Sequence, residues 1–102
     1  MRVITRKRLV EFSAVWPAAK GPLNDWYRAT KHVRWRNFQE VKAIFGQTDL
    51  VKLRSGKTVV VFDIGGNKFR LIARISYEKQ KVYVLRVMTH KGYDKDAWKG
   101  QL

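Results

Sequence analysis

The chain has 102 residues, 45% of them hydrophobic, which suffices for one core, so residues 1–102 are expected to form a single domain. Lys and Arg number 22 against 8 Asp and Glu, and a formal net charge of +14 is typical of proteins that bind nucleic acid or an acidic protein. Because cysteine is absent, disulfide and thiol chemistry are excluded and a reducing cytoplasm is the expected compartment. Because only two histidines are present, no metal site is expected, and no cofactor is expected either. No apolar run is long enough to span a bilayer and no signal sequence opens the chain, so no membrane association is expected.

The chain begins with a β-prone run, Arg2–Ile4, that can add an edge strand to a sheet. Thr5 is a suitable N-cap for a helix over Arg6–Trp16, which Pro17 would end. After a short loop, Pro22 fits the first turn of a second helix. The core face predicted for this helix carries Leu23, Trp26, Tyr27, Thr30 and Val33.

Basic and titratable residues accumulate toward the C-terminal end of the second helix, namely Arg28, Lys31, His32, Arg34 and Arg36. Cations near a helix C-terminus interact favourably with the helix dipole, which explains the cluster by itself. Five such residues exceed what the dipole needs, so contact with nucleic acid is an equally open interpretation.

A capping box formed by Asn37 and Glu40 predicts a short third helix that stops at Gly46. An extended segment, Thr48–Arg54, follows this helix. Ser55-Gly56 then turns the chain into its central stretch.

Three strands are expected between Lys57 and Asp94. Gly65-Gly66 separates the first two, and a two-residue loop of this composition favours a hairpin with a primed turn. Counting outward from that turn predicts the cross-strand pairs Ile64 with Asn67, Phe62 with Phe69, and Val60 with Leu71. Asp63 is expected to pair with Lys68 or Arg70.

The third strand completes two contrasting faces if an odd number of residues joins it to the second strand. One face would be apolar, with Phe69, Leu71, Ile75, Tyr83, Leu85 and Val87. The reverse face would carry Lys68, Arg70, Ile72, Arg74, Val84, Arg86, Met88 and His90. Cations on neighbouring strands repel one another unless an anion lies over them, so the reverse face is a candidate anion-binding surface.

Residues 89–94, with the sequence THKGYD, leave the third strand on the arginine side. Their His90, Lys91 and Tyr93, together with the arginines, are the groups that RNA cleavage without a metal requires: a proton acceptor for the 2′-hydroxyl, positive charge for the phosphorane and a proton for the leaving 5′-oxygen. An aromatic ring adds a surface on which a base can stack. Asp94 is expected to N-cap a last short helical segment that holds Trp98.

Two motifs, GGNxxR at residues 65–70 and THKxYD at residues 89–94, closely resemble those of the HigB family of toxins from bacterial type II toxin–antitoxin systems, within the RelE/ParE superfamily. The resemblance extends over nearly the whole chain. It implies an α+β, RelE-like fold, in which two N-terminal helices and a short third pack on one face of a small antiparallel sheet and a short helix ends the chain. The concave reverse face would be left to RNA.

The resemblance also implies an activity, that of an mRNA interferase. Such a toxin is an endoribonuclease that cuts messenger RNA on the translating ribosome, in its aminoacyl site. The implied partners are messenger RNA, the ribosome and a HigA-type helix-turn-helix antitoxin. That antitoxin would neutralise the toxin and repress the operon, so operator DNA would be met only through the antitoxin complex.

Carried over residue by residue, the resemblance implies three catalytic residues. Arg70 stands where the superfamily keeps a phosphate-stabilising arginine, His90 where RelE-type relatives have a second basic catalytic residue, and Tyr93 near their stacking aromatic residue. Where RelE has strand lysines, this chain has Val61 and Asp63, so Lys57, Lys68 or Lys91 is expected to supply that charge. The expected RNA-binding residues are Lys57, Asn67, Lys68, Arg74, Arg86 and Lys91.

Two other classes of function stay open. One is a non-catalytic, basic RNA- or ribosome-binding module, which the charge alone would explain. The other is a ParE-like toxin that poisons DNA gyrase, which the shared superfamily would explain.

Overall fold

A computed structural model describes all 102 residues and shows an α+β fold built on one five-stranded sheet. The strands are β1 (Arg2–Ile4), β2 (Thr48–Lys52), β3 (Thr58–Ile64), β4 (Phe69–Ser76) and β5 (Lys81–Thr89). The helices are α1 (Lys7–Val15), α2 (Lys20–Lys31), α3 (Phe38–Ile44) and α4 (His90–Asp94), with 3₁₀ turns at Pro17–Ala19 and Ala97–Gly100. None of these helices is long and apolar enough to cross a membrane.

The strand order is β1-β5-β4-β3-β2, and all neighbours run antiparallel except β1 and β5, which are parallel. The edge strand expected at the start of the chain is therefore confirmed. The sheet is mixed and not wholly antiparallel, because β1, at the start of the chain, runs in the same direction as its neighbour β5, which is the last strand of the chain.

The main core lies between the helices and one face of the sheet, as the RelE-like fold implies. The helical side contributes Leu9, Leu23, Trp26, Trp35 and Val41, and the sheet contributes Val60, Phe62, Ile64, Phe69, Leu71, Ala73, Val82 and Val84. Phe62 is fully buried at the centre, where Trp26, Trp35 and Phe45 surround its ring at centroid distances of 5.3–6.4 Å. This packing holds the sheet rigidly beneath the opposite face, where the charged residues lie.

A second, smaller core covers part of that opposite face, which the sequence had led us to expect to be open to RNA. The 3₁₀ turn at Ala97–Gly100 lays Trp98, which is 2% exposed, over a set of apolar residues. These are Leu53, Val59, Val61 and Ile72, with Leu85, Met88 and Tyr93 at their edge. The aliphatic residues expected among the arginines are thus buried by the chain itself.

The first hairpin has a longer loop than Gly65-Gly66 alone. Residues 65–68 join the strands, both glycines have positive φ angles (64° and 71°), and Ile64 pairs with Phe69. The expected pairs Phe62 with Phe69 and Val60 with Leu71 are wrong by two residues, since Phe62 lies opposite Leu71. Because a shift of two residues returns each side chain to the same face, both faces of this hairpin are as expected.

The second hairpin contains a β-bulge that the sequence did not indicate. Ile72 pairs with Arg86 and Ala73 pairs with Val84, which leaves Leu85 as an extra residue on β5. The loop itself, residues 77–80, has an even length, so the bulge and not the loop provides the odd count. On β5 before the bulge, side chains lie on the face opposite to the one expected, and the faces expected for Tyr83, Val84 and Leu85 are wrong. After the bulge, Arg86 and Met88 lie on the same face of the sheet as Arg70, as expected.

Three helix boundaries also differ from those expected. Thr5 has a φ angle of 70° and does not cap α1 through its side chain; its carbonyl accepts the N–H of Arg8 instead. The expected loop before α2 is largely helical, which makes Pro22 the third residue of α2. Asp94 ends α4 and caps nothing, whereas the Asn37 cap of α3 is confirmed.

Candidate active site

The three residues expected to be catalytic meet at one end of the sheet. Arg70 is the second residue of β4, and His90 and Tyr93 both belong to α4, which follows β5 directly. Phe69 lies opposite Thr89 across the sheet, so the strand pairing brings the start of α4 beside Arg70. The guanidinium of Arg70 lies 2.9 Å from the imidazole of His90 and 5.5 Å from the centroid of the Tyr93 ring.

Backbone contacts fix the direction in which α4 leaves the strand. Thr89 N-caps the helix, because its hydroxyl accepts the N–H of Gly92 at 3.1 Å. The N–H of His90 donates to the carbonyl of Lys68 at 2.9 Å, which ties the helix start to the β3–β4 loop. The first of these bonds accounts for the Thr at position 89, which is the helix cap.

Arg70 is 7% exposed, and its guanidinium is held on all sides. Its Nε lies 3.2 Å from the carboxylate of Asp63, so the expected pairing of Asp63 with Lys68 or Arg70 is confirmed for Arg70. One terminal nitrogen donates to the carbonyl of Phe69 at 3.1 Å. The other contacts the side-chain oxygen of Asn67 at 2.5 Å and Nδ1 of His90 at 2.9 Å. Asn67, which was expected to bind RNA, therefore also orients the arginine.

His90 has a partner at each ring nitrogen. Nδ1 faces Arg70, and Nε2 lies 3.0 Å from Oδ2 of Asp94. Asp94 was not predicted as a site residue, although its spacing of four residues from His90 on a helix was a usable signal. Asp63, Arg70, His90 and Asp94 thus form one continuous chain of polar contacts.

Tyr93 is packed against the chain's own C-terminal segment. Its ring stacks on Trp98 at a centroid distance of 5.2 Å, and its backbone carbonyl accepts the indole N–H of Trp98 at 3.0 Å. Burial, with Asp49 as the next contribution, raises the pKa of the Tyr93 phenol. The hydroxyl therefore keeps its proton near neutral pH, and less of the ring is free to stack on a base than expected.

The raised phenol pKa values predict a loss of stability in alkali. Burial also raises the pKa of Tyr77, so both phenols hold their protons more tightly in the folded chain than in the unfolded one. Their contribution to the free energy of unfolding is complete below pH 10 and falls as pH rises through the higher, folded-state pKa values. Denaturant titrations from pH 9 to 12 should show this decline, and Tyr93→Phe should make it shallower; an unchanged slope would contradict the predicted contribution of Tyr93.

The remaining predicted residues lie at different distances from this centre. Lys68 and Lys91 are exposed neighbours of Arg70 and His90 along the chain. Arg86 is opposite Ile72 and bonds to the side chain of Gln101, and Arg74 lies 4.7 Å from the Tyr83 ring centroid. Lys57 precedes β3, six residues from Asp63, so about 20 Å of strand separates it from the centre. The fold therefore does not bring Lys57 to the site.

Comparisons with known proteins identify relatives over most of the chain. The family model HigB_toxin, described as the RelE-like toxic component of a toxin–antitoxin system, matches residues 19–96. The mRNA interferase toxin HigB of Escherichia coli K12 is 33% identical over 94 residues, which cover 92% of this chain and 88% of that protein; the mRNA interferase HigB of Shigella flexneri gives the same values. The mRNA interferase HigB of Escherichia coli O6:H1 is 28% identical over 93% of this chain and 90% of its own length.

Proposed function

Since the chain belongs to the HigB family of RelE-like toxins from toxin–antitoxin systems, we propose that it is an mRNA interferase that cleaves messenger RNA on the translating ribosome, in the aminoacyl site. The observation that carries the proposal is the meeting of Arg70, His90 and Tyr93 at one end of the sheet. Both motifs of the family resemblance, 65–70 and 89–94, converge there. A chance alignment of sequences would not require two segments twenty residues apart to form one polar network.

The proposed chemistry is transesterification by side chains alone. The 2′-hydroxyl loses its proton to water in the site as its oxygen attacks the adjacent phosphorus, the bond to the 5′-oxygen breaks and that oxygen takes up a proton, and the negative charge of the phosphorane must be stabilised. His90 and Arg70, in contact at 2.9 Å, provide polar N–H groups for that charge. Tyr93, backed by Trp98, offers a protonated phenol and the rest of its ring to a base.

The exposed cations around this centre are proposed to hold the RNA backbone. Lys68 and Lys91 flank Arg70 and His90 and have no salt-bridge partner, so both are free to meet a phosphate. Arg86 and Arg74 lie on the same side of β5 and β4, next to the part of that face where Trp98 covers Ile72. A path of single positive charges along strands suits a single-stranded polyanion.

Induction of the chain in growing cells, followed by primer extension on abundant messages, tests this proposal. Discrete cuts within translated reading frames are expected, and they should vanish when translation initiation on the same message is blocked. Purified chain should cleave a message on translating ribosomes more readily than the free message. RNA binding that weakens with salt, by about 0.7–0.9 log units per log unit of salt for each phosphate contact but without cleaved product, would indicate a binding module instead. Intact messages with an induced DNA-damage response would indicate a gyrase poison.

We further propose that the neutralising partner is a HigA-type antitoxin with a helix-turn-helix domain, and that it docks on the helical layer. Three large apolar residues in α1 or directly after it are exposed, namely Val10 (63%), Val15 (72%) and Trp16 (46%). Beside them, a cavity of about 280 Å³ opens between α1 and α2, with Arg6 and Lys20 at its polar rim and no acidic residue in its lining. This surface suits an apolar segment with acidic neighbours.

The position of this surface bears on how the toxin would be silenced. The α1 and α2 helices cover the sheet face that carries Phe62 and Leu71, whereas Arg70 and His90 lie on the reverse face. An antitoxin docked on the helices would leave the polar network uncovered. The antitoxin would then neutralise the toxin sterically, because the complex would be too large to enter the ribosome.

Val15→Glu is expected to weaken antitoxin binding at least about tenfold, because it places a charge in an apolar contact, equivalent to about 1.4 kcal/mol. Leu50→Glu is the matched control, since Leu50 is 52% exposed but lies on β2, away from α1. Isothermal titration with the purified antitoxin measures both. Unchanged affinity for Val15→Glu, with affinity lost in an Arg74→Ala, Arg86→Ala double variant, would instead favour direct cover of the basic face.

A further inference from the structure

We infer that Arg70 and Asp94 hold His90 as a neutral imidazole with its proton on Nε2, so that His90 serves as a hydrogen-bond donor to the RNA phosphate and not as a base. Arg70 and Asp94 are then positioning residues that act through His90. The part of this inference that concerns RNA rests on the proposed function. The part that concerns the tautomer does not.

The argument for the tautomer is a count of donors and acceptors. A guanidinium has five N–H donors and no acceptor, and it stays protonated in proteins. The terminal nitrogen of Arg70 that lies 2.9 Å from Nδ1 must therefore donate, and Nδ1 must accept through its lone pair. A carboxylate only accepts, so Nε2 must donate to Asp94 at 3.0 Å. One protonation state meets both requirements, the neutral ring with hydrogen on Nε2.

The Arg70 end of this arrangement is rigid. The guanidinium is buried and anchored by Asp63, Asn67 and the carbonyl of Phe69 in addition to His90. A second proton on the imidazole would point an N–H at an N–H of Arg70 and set two positive charges side by side. The same anchors leave Arg70 little freedom to turn toward a scissile phosphate, which is the role that the family resemblance implies for it.

The hydrogen bond from Nε2 of His90 to Asp94 can be replaced by one to another acceptor. The side chains of His90 and Asp94 are 43% and 59% exposed, so Nε2 is on the solvent side of the ring. A phosphate oxygen is an acceptor like the carboxylate, and it can take the place of Asp94 at Nε2 because an exposed pair of this kind is held weakly. A neutral imidazole with a fixed donor is a known way to stabilise a developing oxyanion.

Nitrogen-15 NMR of the imidazole rings in the purified full-length chain tests the tautomer directly. At pH 7 we expect the His90 signals to report an unprotonated Nδ1 and a protonated Nε2. His32 is the internal control, since it is exposed at the end of α2 and makes no side-chain hydrogen bond. Signals that report a protonated Nδ1 for His90 in the unmodified chain would overturn the inference, whatever its activity.

Two variants separate positioning from a merely structural contribution. Arg70→Met removes the donor, and the His90 signals should move toward the averaged values of His32. Asp94→Asn keeps a side-chain oxygen as acceptor and should leave the His90 tautomer unchanged. If the Arg70→Met variant folds and the His90 signals do not change, Arg70 does not set the tautomer. If the variant does not fold, the His90 signals of the unmodified chain alone decide whether the tautomer is the one inferred.

The donor role is tested by comparing His90→Gln with His90→Ala in the cleavage assay. The amide nitrogen of Gln can place an N–H near the position of Nε2, so His90→Gln should retain at least about tenfold more cleavage than His90→Ala, a fraction of the 10²–10³-fold that one oxyanion donor contributes. Equal loss in both variants would overturn the donor role. Absence of cleavage by the unmodified chain would overturn the proposed function. The inference about the His90 tautomer would then still be decided by the NMR spectrum.

Discussion

His90→Ala is expected to lower the rate of messenger RNA cleavage by about 10²–10³-fold and to abolish growth arrest on induction, because it removes the Nε2 donor that we propose for the RNA phosphate. His32→Ala is the matched control, since His32 is the one other histidine and lies at the end of α2, far along the chain from the site. Cleavage products and colony counts after induction measure both variants. Full toxicity of His90→Ala would remove His90 from the reaction.

His90 is a cleaner target for this experiment than Arg70. Arg70→Ala would leave the Asp63 carboxylate, whose side chain is 22% exposed, without its partner, and breaking a mostly buried ion pair costs up to about 3–5 kcal/mol of stability. Loss of activity in that variant would then mix a loss of fold with a loss of function. His90 is 43% exposed, so its removal disturbs the packing much less.

The largest expected effect on stability is that of Trp98→Ala, which should lower the free energy of unfolding by about 3–5 kcal/mol. Trp98 is 2% exposed, stacks on Tyr93 and covers Leu53, Val61 and Ile72 on the reverse face of the sheet. Its removal opens a cavity and exposes those residues to water. For a domain of this size each kcal/mol lowers Tm by about 4–8 °C, so calorimetry should show a fall of well over ten degrees.

Trp16→Ala is the matched control for this prediction. Trp16 is 46% exposed and contacts Phe12 and Phe69 only through ring centroids 6.3 Å away, so its removal should cost about 1 kcal/mol or less. A similar Tm for both variants would mean that the C-terminal segment does not stabilise the sheet. A Trp98→Ala protein that stays folded but loses cleavage would link the packing behind Tyr93 to the active site.

Patterns among residues close together in the sequence were sufficient to predict most of the fold. The edge strand, the three leading helices, the Asn37 cap and the glycine-rich hairpin follow from spacing and capping, and each is confirmed. The faces of β3 and β4 were correct even though their register was wrong by two residues, because side chains in a strand alternate with period two. The juxtaposition of Arg70 with His90 needed, in addition, the odd residue count that the bulge at Leu85 provides.

By itself, then, the sequence determined the helical layer, the two faces of β3 and β4 and the pair of motifs that form the candidate site, since all of these depend on neighbours close in the chain. Only the tertiary structure decided the rest. The bulge at Leu85 reverses half of β5, and Trp98 covers a face that was expected to be open. The engagement of Arg70 by Asp63 and of His90 by Asp94 was likewise decided in three dimensions. Bulges and covering segments depend on how distant surfaces fit together, and no periodicity in a single chain encodes that fit.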